Sequence, residues 1–199
     1  MRAIRILSVL SAAVVTILVF TQLTSLRADP PAEPTEAATP EAQFIMSDNP
    51  LVANDLGPAP ELNNTIWINS DKPLKLADLK GKVVLLEFWT FECINCIHTL
   101  PAMNSFYDKY ADKGLVIIGD HFPEFAYERD VDNVRQAVKD DKIKYAVAID
   151  NDGATWNAYH QNYWPTMYLI DKRGIIRYEA IGEHDYSRTE EAIKALLAE

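Results

Sequence analysis

Cysteine is scarce in this chain. The only two cysteines, Cys93 and Cys96, are separated by two positions in the stretch WTFECINCIH (89–98). A second pair of ligands at tight spacing is missing, although structural zinc sites built from C-x-x-C usually have one. Internal repeats are missing as well. The two cysteines are therefore a redox pair, part of another kind of metal site, or two buried residues that happen to lie close together.

The chain also has few basic residues relative to acidic ones. The chain has 19 Lys and Arg against 29 Asp and Glu, which gives a formal net charge of −10. An acidic protein is a poor candidate for binding phosphate backbones or anionic membrane surfaces, so nucleic-acid binding is not expected. Hydrophobic residues make up 48% and charged residues 24% of the sequence, as in globular proteins. The length allows one well-cored domain with appendages.

Acidic residues are absent from the first 28 positions, which are predicted to be a signal peptide or a membrane anchor. Residues 6–26 carry no charge and are long enough to span a bilayer as a helix. A cut after Ala28 would place Leu26 where a signal peptidase needs a small residue, so an uncleaved anchor is favoured. Arg2 and Arg5 would stay in the cytoplasm, and the rest of the chain would face an extracytoplasmic compartment, the periplasm or the cell surface.

A linker is predicted at residues 29–49, which are rich in Pro, Glu, Ala and Thr. Such a segment has little to bury and is expected to be extended. The folded domain is then predicted to cover residues 50–199.

Strand-like and helix-like patterns alternate in that domain. The Val- and Leu-rich run KVVLLEFW (82–89) is typical of a strand buried on both faces. The alternation predicts an α/β fold whose central sheet is mainly parallel, is flanked by helices and ends in an antiparallel hairpin, so that it is mixed overall. We predict strands at 65–69, 82–89, 114–120 and 145–150, a hairpin at 165–182 with its turn at 171–174, and helices at 94–110, 130–141, 153–160 and 187–199, the last with Ser187 or Thr189 near its cap.

The two cysteines follow the carboxyl end of the buried strand, which is where sheets of this kind place their active sites. Cys93 is predicted at the start of a helix, where free N–H groups and the helix dipole favour a thiolate. Cys96 lies one turn further on and can reach the first sulfur. This geometry predicts a two-step disulfide exchange in which Cys93 attacks and Cys96 resolves the mixed disulfide. A purely structural disulfide is not expected, because closing so small a loop gains little stability.

Glu87 is the only charged residue of the run VVLLEFW. Burial raises the pKa of a carboxyl group, so Glu87 is a candidate base for removing the proton of Cys96. The alternative is that Glu87 lies at a solvent-exposed edge of the sheet or pairs with a lysine.

The stretches FWTFECINC, with Pro101 five residues further on, and YWPTMYLID resemble the thioredoxin superfamily. The resemblance covers residues 60–199 and implies a thioredoxin-like fold. An additional helix and strand at about 121–145 are similar to the membrane-tethered TlpA/ResA-like branch. The stretches WTFECINCIHTLP, HFPEF and YWPTMYLID are most similar to the soluble thioredoxin-like domain of the DipZ type.

The resemblance implies roles for individual residues. Cys93 takes the place of the nucleophile, Cys96 that of the resolving cysteine and Glu87 that of the buried acid. Between the cysteines, Ile94 and Asn95 depart from the Gly-Pro of thioredoxin, a dipeptide that helps to tune the redox potential.

Substrate contacts are implied at Trp89, Trp164 and Pro165. Trp89 occupies the aromatic position ahead of the motif, and Pro165 aligns with the cis-proline beside which a substrate backbone lies. Trp164 is bulkier than the residue that usually precedes this proline. Thr99 stands where the ResA-like branch often has an acid, which weakens a specific assignment to cytochrome c maturation.

A metal site built from Cys93, Cys96 and His121 is the competing prediction, with copper or zinc as the ion to be bound or delivered. His98 is expected to point away from the sulfur atoms. Further charges near the motif, at Asp120, Glu124 and Glu128, are expected to be solvated.

Four aromatic residues precede Pro165, and they either pack in the core or form the wall of a substrate groove. They are Trp156, Tyr159, Tyr163 and Trp164.

Taken together, the residues and the resemblance predict an extracytoplasmic thiol–disulfide oxidoreductase, more a reductase than an oxidase. It would need no cofactor, because the Cys93–Cys96 pair carries the electrons. Its expected partners are disulfide-containing exported proteins and a membrane electron donor, and residues 6–26 would tether it to the membrane.

Overall fold

The computed structural model describes residues 49–199. The predicted anchor at 1–28 and nearly all of the predicted linker at 29–49 lie outside the described residues. Within residues 49–199, no helix is both long enough and apolar enough to cross a membrane.

A six-stranded sheet forms the centre of the fold. Its strands are β1 (Ile66–Ile68), β2 (Val83–Trp89), β3 (Leu115–His121), β4 (Ala146–Ile149), β5 (Thr166–Ile170) and β6 (Ile176–Ile181), in the spatial order β1-β4-β3-β2-β5-β6. The pairs β2–β3 and β3–β4 are parallel, and the pairs β1–β4, β2–β5 and β5–β6 are antiparallel. The sheet is mixed, as expected.

The prediction that the sheet is mainly parallel was wrong. Strand β5 runs antiparallel to β2, and β1 joins the edge of the sheet antiparallel to β4. The sequence pattern could not show this, because a strand buried on both faces has the same apolar composition whichever way its neighbours run.

In the described part of the chain, four α-helices flank the sheet: α1 (Ile94–Tyr110), α2 (Val131–Asp140), α3 (Ala154–Ala158) and α4 (Tyr186–Ala198). Helix α1 contains Pro101, as predicted. The N-cap of α4 is Asp185, whose carboxylate accepts a hydrogen bond from the backbone N–H of Ser187. The cap therefore precedes the predicted Ser187 by two positions and Thr189 by four. The additional helix and strand are α2 and β4, and β4 begins at Ala146, just beyond the predicted limit at about residue 145, and ends at Ile149.

Strand β2 is buried on both faces and separates two apolar clusters. Leu85 and Trp89 pack in one cluster with residues of α1 and α4, whereas Leu86 and Phe88 pack in the other with Trp156 of α3. Because side chains alternate along a strand, Glu87 shares the face of Leu85 and Trp89. That face is the one covered by the helix that carries the cysteines.

Arg177 forms a buried ion pair within the β5–β6 hairpin and fastens the segment before β1 to that hairpin. The side chains of Arg177 and Asp171 are fully buried and lie 3.1 Å apart. Arg177 also donates to the backbone carbonyl of Asn54, at 2.6 Å, and to that of Val52. Although burial opposes it, hydrogen bonds from Ile175, Arg173 and Arg177 hold the pKa of Asp171 below its usual value.

We predict that Arg177→Met destabilises the protein by about 3–5 kcal/mol, because Asp171 would lose its fully buried cation and the carbonyl groups of Asn54 and Val52 would lose their hydrogen-bond donor. Urea unfolding at neutral pH measures the change. The matched control Arg188→Met, at an exposed position on α4, should change stability by less than about 0.5 kcal/mol. Equal effects of the two substitutions would show that the buried pair does not hold the hairpin.

Candidate active site

The two cysteines differ sharply in their exposure. Cys93 is the N-cap of α1 and is partly exposed, whereas Cys96 is fully buried in the first turn. The Sγ atom of Cys93 accepts a hydrogen bond from the backbone N–H of Cys96 at 3.4 Å, and both thiols are free. The predicted placement of Cys93 at the start of the helix is confirmed. One sulfur can therefore meet a partner while the other is shielded from it.

Glu87 is completely buried on the face of β2 that α1 covers. Burial raises its pKa to about 8, and a hydrogen bond with Thr99 partly opposes this rise. The complete burial confirms that Glu87 is a buried acid and rules out a solvent-exposed edge. Burial, the hydrogen bond with Cys93 and the charge of Glu87 in turn raise the pKa of Cys96. Glu87 and Cys96 therefore oppose each other's ionisation.

Thr99 connects the acid to the resolving cysteine, and we had not singled it out as a site residue. Its hydroxyl oxygen lies 2.6 Å from Oε1 of Glu87 and 2.7 Å from the carbonyl oxygen of Cys96. A hydroxyl group has one hydrogen, so it donates to the carboxylate when Glu87 is ionised. When Glu87 is protonated, the carboxyl group can donate to Thr99 and Thr99 to the carbonyl. The hydroxyl can thus respond to the proton on Glu87.

Glu128 is fully buried, which contradicts the prediction that it is solvated. Its carboxylate accepts hydrogen bonds from the hydroxyl of Thr90, from the N–H of Glu92 at 3.2 Å and from the N–H groups of Glu124 and Phe125 at 2.7 Å each. The surrounding sequence is polar and suggests a surface. The burial arises only because the turn after β3 folds back onto the loop that precedes Cys93.

Asp120 is also buried, so the same prediction was wrong for it, whereas Glu124 is exposed as predicted. Asp120 accepts a hydrogen bond from Asn64 at 2.9 Å. Burial and the nearby Asp150 raise its pKa well above the usual value. It lies on the α3 side of the sheet, because its neighbour Ile118 packs there.

His121 lies at the end of β3 and is fully buried. Its ring stacks on Phe91, with centroids 5.6 Å apart and planes 18° apart, and its Nε2 atom lies 3.3 Å from the hydroxyl oxygen of Thr90. Burial lowers its pKa to about 4, although the charge of Glu128 opposes the shift. Within residues 49–199, no three His, Cys, Asp or Glu side chains form a group that could hold a metal ion. The geometry therefore gives the predicted Cys93–Cys96–His121 metal site no support.

The bond between Trp164 and Pro165 is cis, as the resemblance implied. Phe88 of β2 is paired with Thr166 of β5, so the same register continued by one residue places Pro165 opposite Trp89. Trp164 is half-buried and stacks on Phe122 at 5.9 Å. The proline loop therefore lies at the same edge of the sheet as the cysteines.

Trp89 does not fit its predicted role in substrate binding, because its side chain is only 1% exposed. It packs on the α1 side of the sheet so closely that a Cβ atom at Gly119 would lie 2.8 Å from its indole nitrogen. The four aromatic residues before Pro165 also differ in their burial. Trp156 and Tyr159 are buried in the core, whereas Tyr163 is 60% exposed.

His98 is exposed and lies 2.9 Å from the carboxylate of Glu183. It contacts this carboxylate rather than the sulfur atoms, in keeping with the prediction that it points away from them.

The fold and the C-x-x-C site define a thioredoxin-like protein, and comparison with known proteins gives the family. Residues 56–179 match the model of the AhpC/TSA family. The thiol–disulfide oxidoreductase ResA of Bacillus thuringiensis subsp. konkukian is 38% identical over 125 residues, which are 63% of this chain and 69% of that protein. The chain belongs to the AhpC/TSA family and, with ResA, to the thioredoxin-like thiol–disulfide oxidoreductases.

Similarity to the protein DipZ of Mycobacterium bovis reaches 42% identity over 154 residues. These residues are 76% of this chain but only 22% of that protein, so the chain spans about a fifth of the length of this relative. The resemblance to the TlpA/ResA-like branch and to the DipZ type is confirmed.

Solved structures agree on the fold. A thioredoxin-like superfamily protein superimposes with a TM-score of 0.67 and 29% identity, covering 71% of this chain and 97% of that one. A thiol-disulfide isomerase from Corynebacterium glutamicum gives a TM-score of 0.61 and 26% identity, covering 71% and 97%. The predicted thioredoxin-like fold is thus confirmed.

We predict that Glu87→Gln makes the reduced protein more stable than the wild type at alkaline pH, by about 3–5 kcal/mol relative to the difference at acid pH. A glutamate in the unfolded chain ionises near its ordinary pKa of 4.5, whereas folded Glu87 holds its proton up to about pH 8. The wild type therefore has its full stability below about pH 4.5, the pKa of Glu87 in the unfolded chain, and loses part of it as the pH rises to about 8. Glutamine does not titrate and escapes this loss.

Urea unfolding of both proteins between about pH 4 and about pH 9 measures this difference. The control Glu191→Gln, at an exposed position on α4, should give no such trend. A stability difference between Glu87→Gln and the wild type that stays constant over this range would show that Glu87 is not a buried acid with a raised pKa.

Proposed function

We propose that this chain is an extracytoplasmic reductase of protein disulfides, acting on exported proteins through Cys93 and Cys96. The observation that carries the proposal is the unequal burial of the two thiols, with the partly exposed one at the N-cap of a helix and the buried one close to a protonatable acid.

The exchange begins at Cys93. Its thiolate attacks one sulfur of the substrate disulfide, and the other substrate sulfur leaves as a thiolate and takes up a proton. A mixed disulfide now joins Cys93 to the substrate. The thiolate of Cys96 then attacks Cys93 and releases the second substrate sulfur as a thiolate. Two electrons pass from the protein to the substrate, and a Cys93–Cys96 disulfide remains.

Glu87 accepts the proton of Cys96 in the second step. Burial keeps Cys96 protonated at rest, so its proton must move before it can attack. Glu87 is mostly protonated at neutral pH because its pKa is about 8, and its ionised fraction is a far stronger base than a carboxylate with an ordinary pKa. Thr99 bonds to both Glu87 and Cys96 and holds the acid against the first turn of α1.

Substrate binding is assigned to the proline loop. Pro165 lies at the cysteine edge of the sheet, and the half-buried Trp164 lies next to it. The exposed Tyr163 extends the same loop and is added to the predicted set.

The location rests on the sequence pattern of the first 49 residues. Residues 6–26 would anchor the chain in the membrane, and residues 29–49 would let the domain reach exported proteins. A membrane electron donor would then reduce the Cys93–Cys96 disulfide after each turnover.

We predict that Cys96→Ser traps a covalent complex with a disulfide-bonded model protein such as insulin, because no thiol remains to resolve the mixed disulfide. Nonreducing gel electrophoresis should show the complex, and dithiothreitol should release it. Cys93→Ser is the matched control and should trap at most a few per cent as much, because Cys96 is buried. Equal trapping by both variants, or none by either, would contradict the proposed exchange.

A further inference from the structure

Three aromatic side chains form a ledge beside the candidate nucleophile, and we call Phe91, Phe125 and Tyr127 the aromatic ledge. Phe125 and Tyr127 stack with centroids 5.7 Å apart and planes 2° apart, and Tyr127 lies 6.1 Å from Phe91. Phe125 is 46% and Tyr127 49% exposed. Phe91 precedes Cys93 by two residues, so the ledge begins at the edge of the site.

The ledge is held in place from below. The buried carboxylate of Glu128 accepts hydrogen bonds from the N–H groups of Glu92, Glu124 and Phe125, so one group fixes the backbone at both ends of the ledge. The ring of His121 supports Phe91 from the other side. Aromatic groups that are already fixed lose little conformational entropy when a partner binds, which favours their use in recognition.

The rim of the ledge is acidic. Glu92 and Glu124 are exposed beside it, and a groove of about 370 Å³ next to it is lined by Phe91, Glu92, Tyr127, Asn133, Gln136, Ala137 and Asp140. Desolvation raises the pKa of Tyr127, and the charges of Glu92, Glu128 and Glu124 raise it further. Three carboxylates therefore lie close enough to the Tyr127 hydroxyl to act on it.

Basic side chains nearby are engaged elsewhere. Arg129 donates to the backbone carbonyl of Asn151 at 2.5 Å, and Arg135 lies 3.9 Å from Asp132. No Lys or Arg is among the residues that line the groove in the described part of the chain. The negative rim and the aromatic faces thus lack a cation of their own.

We propose that the aromatic ledge and its acidic rim bind a Lys or Arg side chain of the substrate polypeptide, close to the disulfide that Cys93 attacks. A cation placed over an aromatic face and near a carboxylate gains from both interactions. An apolar substrate segment would cover the rings but would also desolvate Glu92 without pairing its charge. The inference rests on the proposed disulfide exchange and adds a preference among its substrates.

Single-turnover reduction of matched peptides tests this preference. Three symmetric peptide disulfides differ only in the residues that flank cysteine, which are Lys, norleucine or Phe. The full chain, reduced and kept in mild detergent, is mixed with each peptide, and the released thiol is followed in time. We expect the Lys peptide to react about three- to tenfold faster than the norleucine peptide. The ratio should fall as salt is raised from about 0.05 to about 0.5 M.

Variants distinguish the effect of the aromatic ledge on the Lys-to-norleucine ratio from the effect of the protein's net charge. Glu92→Gln and Tyr127→Leu should bring the Lys-to-norleucine ratio close to one. Asp112→Asn removes the same charge as Glu92→Gln, but from an exposed turn just before β3, whereas Phe125 and Tyr127 follow the other end of that strand. This control should leave the ratio unchanged. Using a ratio cancels any effect of Glu92→Gln on the reactivity of the neighbouring cysteine.

Equal rates for the Lys and norleucine peptides in the wild type would overturn the inference, as would a preference for the Phe peptide. An equal loss of the ratio in Asp112→Asn would overturn it too, because the preference would then come from net charge alone. In each of these cases the peptides are still reduced and the proposed function stands. Failure to reduce any of the peptides, or the small neutral reagent hydroxyethyl disulfide, would overturn the proposed function and this inference with it.

Discussion

The buried carboxyl group of Glu87 constrains the rest of the site. A charge in the middle of a strand that is buried on both faces is costly, so the group holds its proton up to about pH 8. Thr99 supplies a hydrogen bond and ties the acid to the carbonyl of Cys96. The same burial raises the pKa of Cys96, whereas Cys93 at the helix N-cap stays within reach of a partner. In the proposed exchange, the partial exposure of Cys93 makes it the attacking thiol and the burial of Cys96 makes it the resolving thiol.

A second buried acid holds the loop that carries the first thiol. Glu128 belongs to the segment after β3 that includes the additional helix and strand, and its hydrogen bonds reach Thr90 and the N–H of Glu92, next to Cys93. The insertion thus braces the active-site loop, and it also carries Phe125 and Tyr127 on the same turn. In our account the elements that distinguish this chain from a plain thioredoxin fix the geometry of the nucleophile and the choice of substrate together.

Local patterns were enough to predict the cysteine helix and the buried acid. The helix was predicted at about Ile94–Tyr110, where it lies, because it follows shortly after a strand with a clear apolar run, and Glu87 is the only charged residue of the run VVLLEFW. Strand direction was not predictable, because buried parallel and antiparallel strands look alike in sequence. Asp120 and Glu128 were wrongly predicted to be solvated, because Asn64 and the Thr90–Glu92 loop, which contact them, are distant in sequence. Trp89 was wrongly predicted to contact substrate, because the strand alternation turns its side chain into the core.

The redox equilibrium of the Cys93–Cys96 pair tests the central claim most directly. The full chain would be equilibrated in graded thiol–disulfide buffers, its free thiols alkylated and the two forms separated by mass. We predict a single two-electron transition between dithiol and disulfide, with a midpoint at or below about −250 mV as in a reductase. A midpoint between about −120 and about −180 mV would contradict the reductase direction, and the absence of any transition would contradict the redox pair itself.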